Sequence, residues 1–252
     1  MGENPTMLQL REINQAYDTQ HTLWDINLEV MQSSCSAIVG QQGTGKTTLF
    51  HCILGFLPIM SGEMTWQPKN TLPCSLVSLP CQQRTELGIS YVAQGHPLFS
   101  QLTVEDNLLI ALKAGQSNAS PAAYSPIICE LFPALLARRH QRSGTLDKGL
   151  QCQLALARAV ITHPKLVLLD EPSEGLSPQE EDQLVAIVSA LTRDYQISVL
   201  LMDNNLAFVS RVADNFTLLH HGRSVMKGTA ADLAEFGGKE RWAEKPRFPK
   251  AV

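Results

Sequence analysis

The segment Gly40-Gln41-Gln42-Gly43-Thr44-Gly45-Lys46-Thr47 constrains the fold of this chain more than any other stretch. It fits the pattern G-x-x-x-x-G-K-[ST] of a phosphate-binding loop, in which glycine residues let the backbone curl and aim its N–H groups at phosphate oxygens. A helix that begins near Gly45 points its positive end at the same place. The pattern predicts that Lys46 reaches the β and γ phosphates of a nucleotide and that Thr47 binds Mg²⁺ through its hydroxyl.

The residues on either side of this loop have the order that a phosphate-binding loop requires. Cys35–Val39 is a short apolar run typical of a buried strand, and residues 48–54 have the apolar face of a helix. The alternative is a glycine-rich turn that happens to precede a lysine, and the order strand, loop, helix argues against it. The predicted nucleotide-binding residues are Gly40, Gln41, Gln42, Gly43, Thr44, Gly45, Lys46, Thr47 and Thr48.

Composition restricts the class of protein. The 252 residues are 44% hydrophobic and 17% charged, which is typical of a globular domain, and the net charge of −4 gives no electrostatic reason to expect nucleic acid as a partner. No apolar run reaches the ~18 residues of a membrane span, and the first residues lack the basic and apolar regions of a signal peptide. The six cysteines form no C-x-x-C pair. This usage indicates a reduced, cytosolic compartment.

The hydrophobic pattern alternates between strands and helices. Strands are predicted near residues 8–13, 23–30, 88–93, 165–169 and 197–202, with Tyr17 in a polar turn, a turn-rich stretch over residues 68–86 and a hairpin near residues 220–223. Helices are predicted over residues 103–113, 151–161 and 178–193. This alternation indicates a single α/β domain over residues 1–252 with a largely parallel sheet. Its core would cover about residues 1–93 and 161–236, with an inserted helical subdomain over about residues 94–160 and a polar tail over residues 237–252.

Two adjacent acids follow a predicted buried strand. In Leu168-Leu169-Asp170-Glu171-Pro172 they lie at the C-terminal end of the strand, where ligands bind in open α/β sheets. Asp170 is suited to hold Mg²⁺, directly or through water, and Glu171 to act as general base or to orient the attacking water. A plain strand-terminating turn is the alternative. The phosphate-binding loop upstream favours the catalytic interpretation.

With these motifs in place, nearly the whole chain resembles the ATP-binding subunits of ABC transporters. Residues 40–48 resemble the Walker A motif of that family, residues 166–171 its Walker B motif with the catalytic glutamate, and residues 90–94 the strand that leads into its Q-loop. The resemblance implies an α/β P-loop NTPase fold with a mostly parallel core sheet, an antiparallel β subdomain and an inserted helical subdomain. It also implies ATP and Mg²⁺ as cofactors, with ATP hydrolysis coupled to solute transport.

The resemblance assigns roles to three further residues. Gln94 would contact both the metal and the attacking water. Tyr17 would stack on adenine, a role that suits an aromatic ring, although a plain strand-edge tyrosine is the alternative. Asn204 occupies the position of the family's switch histidine, where its neutral amide can hydrogen-bond the γ-phosphate or a water, and a plain turn residue is the alternative there.

Three segments narrow the resemblance to the group that takes up branched-chain amino acids and urea. They are residues 98–108, 130–133 and 171–176. The opening residues 8–30 resemble the urea-type subunit of this group more than its other subunits. Systems of this group combine two different ATPase subunits, two permease subunits and a periplasmic binding protein. The resemblance therefore implies a peripheral subunit on the cytoplasmic face of the inner membrane that drives import of urea, branched-chain amino acids or small amides. The alternatives are an ATP-binding, dimerising regulatory subunit with weak hydrolysis and a soluble ABC ATPase without a transport role.

The chain departs from the family at its L-S-G-G-Q signature. Counting back from the helix that contains residues 155–159 gives Leu146-Asp147-Lys148-Gly149-Leu150, in which Asp147 replaces the serine and Lys148 the first glycine. A register that begins at Ser143-Gly144 is the alternative. In this family the signature of one subunit closes over the γ-phosphate held by the other.

The altered signature predicts an asymmetric pair of sites. The charge of Asp147 would face a polyanion, which is costly in a partly dry site. We therefore expect a heterodimer that hydrolyses ATP mainly at the site built from this chain's Lys46, Gln94, Asp170 and Glu171. The reciprocal site would receive Asp147, Lys148 and Gly149.

Overall fold

The computed structural model describes residues 5–115 and 125–235. The strands of these ranges are β1 (Thr6–Tyr17), β2 (Gln20–Met31), β3 (Cys35–Val39), β4 (Ser61–Trp66), β5 (Cys74–Ser75), β6 (Ile89–Val92), β7 (Leu166–Asp170), β8 (Ser198–Asp203), β9 (Asn215–His220) and β10 (Arg223–Thr229). The helices are α1 (Lys46–Leu54), α2 (Cys81–Glu86), α3 (Val104–Gly115), α4 (Pro126–Leu131), α5 (Pro133–Leu136), α6 (Lys148–Val160), α7 (Pro178–Arg193), α8 (Leu206–Val212) and α9 (Ala230–Glu235), with a short 3-10 helix over Ser143–Thr145.

Two sheets organise the fold. An antiparallel sheet has the order β2-β1-β4-β5, and a six-stranded sheet has the order β10-β9-β3-β8-β7-β6. In the larger sheet β3 pairs in parallel with β8 and β9, β7 pairs in parallel with β8 and β6, and only β10 runs antiparallel to its neighbour. The predicted α/β fold with a mostly parallel core sheet and a separate antiparallel sheet is confirmed.

The parallel sheet is the middle layer of the molecule, which explains why its central strands are apolar without interruption. All five residues of β3 and of β7 are buried. Successive side chains point to opposite faces. Val167 and Leu169 contact a core formed with helices α3 to α8, whereas Leu166 and Leu168 contact a second core formed with α1 and the antiparallel sheet. The carboxyl ends of β3, β7 and β8 consequently meet at one edge.

Two predicted helices begin at capping residues. Thr103 accepts a hydrogen bond at its hydroxyl from the Asp106 backbone N–H at 3.1 Å, which starts α3, and a capping box of Ser177 and Glu180 starts α7. Helices α3 to α6 lie between β6 and β7, where we predicted an inserted helical subdomain; the boundaries of that subdomain stay a prediction. The predicted polar tail over residues 237–252 lies outside the described residues.

Two local predictions were wrong. Tyr17 is the last residue of β1 rather than part of a turn, because β1 and β2 each extend to twelve residues through bulges that disturb the apolar alternation. Helix α2 lies inside residues 68–86, which we predicted to be rich in turns and without a helix. It carries the buried Arg84, whose guanidinium donates to the carbonyls of Cys52 and Ile53 at 2.7 Å each and so satisfies the end of α1.

Two further observations concern the state of the cysteines and the absence of a membrane-spanning helix among the described residues. All six cysteines are free, and burial raises the pKa of the Cys35, Cys52 and Cys152 thiols, so these three behave as small apolar side chains. Within residues 5–115 and 125–235, no helix combines the length and the apolarity that crossing a membrane requires.

Candidate active site

The glycine-rich loop connects β3 to α1 and is shaped as a phosphate cradle. Gly45 caps α1 with φ 99°, in the left-handed region that favours glycine. A Cβ atom on Gly40 would lie 2.5 Å from the Leu219 carbonyl oxygen, so only glycine lets the loop pass the end of β9. Around the Cβ position of Gly43, in contrast, no atom lies within 4 Å. The loop is thus tight against the sheet and open on its outer side, as bound phosphates require.

Lys46 holds the centre of this loop. Its side chain is buried, and its Nζ donates to the carbonyls of Gly40 and Gln41 at 2.7 and 3.0 Å and to Asn204 Oδ1 at 2.8 Å. Burial lowers the pKa of Lys46, and the neighbouring charge of Glu171, 4.0 Å away at Oε1, acts in the opposite direction. The ammonium group therefore lies at the mouth of the loop, close to the predicted general base.

The two acids after β7 occupy different environments. Asp170 is buried, and burial raises its pKa to about 6, although a hydrogen bond from the Tyr91 hydroxyl to Oδ2 at 3.0 Å acts the other way. Glu171 has φ 46°, a backbone conformation that costs free energy in a non-glycine residue and that clusters at functional sites. Its backbone N–H is fixed by the Met202 carbonyl at 2.8 Å. The turn thus directs one carboxylate inward and the other toward the loop.

Two amides hold the Glu171 carboxylate. Gln94 Nε2 donates to Oε2 at 3.0 Å, and Asn204 Nδ2 donates to Oε1 at 2.9 Å. Gln94 also donates to Glu174 Oε2 at 3.0 Å. These contacts link four predicted site residues from four parts of the chain into one network around Glu171: Lys46, Gln94, Glu171 and Asn204. A carboxylate oriented in this way can accept a proton from a water or align that water.

The predicted adenine-stacking residue lies beside the loop. The Tyr17 hydroxyl is 3.5 Å from Thr48 Oγ1, and the side chain is 45% exposed. The side chain is therefore accessible next to the nucleotide-binding loop. The stacking role stays a prediction.

We expect Tyr17→Ala to weaken ATP binding by up to about tenfold, because stacking on an aromatic ring contributes ~0.5–1.5 kcal/mol. Tyr17→Phe is the matched control, since it keeps the ring and removes only the hydroxyl, and its affinity should stay near that of the parent. Calorimetric titration with ATP measures both. Equal affinities for parent and Tyr17→Ala would identify Tyr17 as a plain strand-edge residue.

The residues at this edge fit a magnesium nucleotide. Thr47 offers an exposed hydroxyl in the first turn of α1, Asp170 a carboxylate and Gln94 an amide, and oxygen donors are the ligands that Mg²⁺ prefers. Among the described residues, no group of three or more His, Cys, Asp or Glu side chains could hold a metal ion without other ligands. Phosphate oxygens and water would complete the coordination of Mg²⁺, as is usual at nucleotide sites.

The altered signature forms the start of α6. Asp147 is the N-cap, and its side chain accepts a hydrogen bond from the Leu150 N–H at 2.8 Å, while the Gly149 N–H donates to Glu180 Oε1 at 2.9 Å. Asp147 and Lys148 are exposed. Two amide donors at this helix start are therefore already bound to carboxylates of the same chain.

The alternative register of the signature does not fit the structure. Ser143 is fully buried, and its hydroxyl donates to the Phe99 carbonyl at 2.9 Å and accepts from Asn107 Nδ2 at 3.2 Å. The Ser143 hydroxyl is therefore engaged inside this chain. The register that counts Asp147, Lys148 and Gly149 as the signature is therefore the one that the helix start supports.

Three residues of this region were missed by sequence reasoning: Tyr91, Glu174 and Glu180. Tyr91 shares the short strand β6 with another polar residue, Ser90, so no local signal distinguished it. Glu174 and Glu180 contact Gln94 and Gly149, which are distant in sequence, so no local pattern reveals these contacts.

A profile of the family "ABC transporter" matches residues 23–174. The probable branched-chain amino acid transport ATP-binding protein LivF of Archaeoglobus fulgidus is 32% identical over 229 residues, which is 91% of this chain and 94% of that protein. The high-affinity branched-chain amino acid transport ATP-binding protein BraG of Pseudomonas aeruginosa is 34% identical over 227 residues, which is 90% of this chain and 94% of that protein.

Solved structures agree with the fold. The structure of an ATP-binding subunit of an ABC transporter superimposes with a TM-score of 0.75 at 25% identity and covers 92% of this chain and 93% of its own. An ATP-binding cassette of an ABC transporter in its ADP conformation superimposes with a TM-score of 0.78 at 21% identity, over 92% of this chain and 94% of its own. This second likeness supports the fold alone.

Proposed function

The chain belongs to the ABC transporter family as an ATP-binding subunit with ATPase activity, and we propose from this premise that it drives uptake of branched-chain amino acids or of small amides such as urea. One observation carries the catalytic part of the proposal. The predicted base, Glu171, lies 4.0 Å from Lys46 and is held by the amides of Gln94 and Asn204. This is the arrangement that hydrolysis of a nucleotide at the loop needs.

The proposed reaction is phosphoryl transfer to water, which is catalysed mostly by positioning and electrostatics. The loop N–H groups and Lys46 bind the phosphates, and Glu171 orients the attacking water or takes its proton. Mg²⁺, held by Thr47, Asp170 and Gln94, would neutralise phosphate charge when bound. Asn204 bridges Lys46 and Glu171, so it keeps the two charged groups in a fixed relation.

A second, different ATPase subunit is the proposed partner at the nucleotide. This chain offers Asp147 and Lys148 where the family has a serine and a glycine, and its Gly149 N–H is bound to Glu180. A partner with an intact signature would complete the site of Lys46, whereas a second copy of this chain would not. We therefore propose a heterodimer that hydrolyses ATP mainly at the site of this chain.

The proposed docking surface for permease subunits is a groove of about 760 Å³ between α2, β6, α3 and α6. Its rim carries Phe56, which is 53% exposed, and one wall is formed by Ala93 and Pro97 on either side of Gln94. A partner bound there would touch the segment that holds Gln94 against Glu171 and could influence hydrolysis. In this proposal the chain is a peripheral subunit on the cytoplasmic face of the inner membrane, and a periplasmic binding protein delivers the solute.

The solute is proposed from two kinds of support. LivF and BraG are named for branched-chain amino acid transport, while the opening residues 8–30 lean toward the urea-type subunit. The matches to transport proteins do not favour the regulatory or the non-transport alternative.

Uptake by reconstituted vesicles tests the proposal. We expect vesicles that contain the permease subunits, both ATPase subunits and the binding protein to accumulate labelled leucine or labelled urea when ATP is on the side of this chain. ADP in place of ATP is the control and should give no accumulation. Accumulation of leucine alone would identify branched-chain amino acids as the transported solutes, and accumulation of urea alone would identify urea. Accumulation of neither would contradict the proposal.

A further inference from the structure

Tyr91 presents its phenol to the buried carboxylate on the neighbouring strand. β6 pairs in parallel with β7 so that Tyr91 is opposite Leu168, and Asp170 follows two residues later on the same face of β7. The Tyr91 hydroxyl donates to Asp170 Oδ2 at 3.0 Å. The strand register therefore brings together a phenol and an acid that are 79 residues apart in sequence.

The phenol ring is fixed in place while its hydroxyl donates to the carboxylate. Its ring packs edge-on against Phe50 of α1, with the centroids 6.3 Å apart and the planes at 79°. The ring is thus held between the helix that follows the phosphate-binding loop and the strand that ends in Asp170.

The Asp170 carboxylate is anchored at one oxygen. Among the contacts of residues 5–115 and 125–235, Tyr91 supplies the hydrogen bond to this side chain, at Oδ2, and Oδ1 has lone pairs that the protein does not use. Partners that fix one oxygen of a ligating carboxylate also fix where the other oxygen points.

We propose that Tyr91 is a positioning residue for the metal of the bound nucleotide: its hydroxyl holds Asp170 by Oδ2 and leaves Oδ1 for Mg²⁺. This inference rests on the proposed function, because it requires a magnesium nucleotide at the loop. It adds a residue of β6, outside the loop and the acid pair, to the group that prepares the site.

The test compares nucleotide affinity with and without Mg²⁺. Tyr91→Phe removes the hydroxyl and keeps the ring against Phe50. We measure the Kd of ATP in EDTA and in excess Mg²⁺ by calorimetry and divide the value in EDTA by the value in Mg²⁺. The ratio is expected to fall by about tenfold in Tyr91→Phe, with the Kd in EDTA unchanged, because loss of a group that orients a metal ligand typically costs ~10–100-fold in metal affinity.

Two further variants, measured in the same way, separate a failure of the Tyr91 role from a failure of the proposed function. Tyr195→Phe removes another phenol-to-carboxylate hydrogen bond, the one to Glu130, and should leave the ratio unchanged. Asp170→Asn should lower the ratio at least as far as Tyr91→Phe does. Suppose that Asp170→Asn lowers the ratio, but Tyr91→Phe leaves the ratio at the parent value, including the case in which Tyr91→Phe weakens ATP binding equally with and without Mg²⁺. The role of Tyr91 is then wrong, while the proposed function stands. If Asp170→Asn leaves the ratio unchanged, the metal assignment within the proposed function fails, and the role of Tyr91 fails with it.

Discussion

Replacing Glu171 by glutamine is expected to lower ATP turnover by about 10²–10⁴-fold, the usual contribution of a positioned general base, while ATP binding stays near that of the parent. Glutamine has nearly the same shape and can still accept at its oxygen from Asn204 or Gln94, so the change removes basicity more than structure. Phosphate release by the purified heterodimer measures turnover, and calorimetric titration measures binding.

Glu174→Gln is the matched control for this substitution. Glu174 also accepts a hydrogen bond from Gln94, but no ion pair with Lys46 places it at the loop. Its replacement removes a carboxylate from the same network and should change turnover far less than Glu171→Gln. If Glu171→Gln left hydrolysis unchanged, Glu171 would not be the base and the site of this chain would not be the main hydrolytic site.

Restoring the signature is expected to activate assemblies made of this chain alone. Asp147→Ser combined with Lys148→Gly removes a carboxylate that would face the γ-phosphate and a long side chain that occupies the place of a glycine. Two like charges 4 Å apart repel by ~1 kcal/mol in water and by ~4 kcal/mol in a partly dry site, so we expect ATP turnover to rise by at least about tenfold. Phosphate release at a concentration that allows dimerisation is the measurement.

The control for the restored signature removes the same two charges elsewhere. Asp194→Ser with Lys69→Gly changes exposed residues outside the start of α6 and should leave turnover at the parent value. If the restored chain were no faster than the parent, the weakness of the reciprocal site would have another source, such as the Gly149 N–H that is bound to Glu180.

Elements whose signals are local could be predicted from the sequence. Thr103 as N-cap predicts the start of α3, Pro178 in the first turn predicts the start of α7, and the unbroken apolar run of β7 indicates a strand buried on both faces. The extent of β1 and the helix α2 could not be predicted in the same way. Bulges break the alternation of β1, and α2 depends on Arg84 reaching the distant carbonyls of Cys52 and Ile53.

The residues of the candidate site also differ in whether a local signal in the sequence predicts them. Lys46, Asp170 and Glu171 follow from motifs with a physical reason for each residue, whereas Gln94 and Asn204 were expected only through resemblance to a family. The contact of Tyr91 with Asp170 depends on the register between β6 and β7, which no pattern within one strand specifies. A contact between side chains on neighbouring strands can be identified only when the pairing of those strands in the sheet is known.

The most direct test of the proposed asymmetric ATPase is the number of phosphates released per heterodimer in the first turnover, measured by rapid quench with both sites loaded with ATP. We predict one phosphate released rapidly per heterodimer, and no rapid release when this chain carries Glu171→Gln. Two phosphates released at equal rates, or one rapid phosphate that persists in Glu171→Gln, would contradict the conclusion that hydrolysis occurs mainly at the site of Lys46 and Glu171.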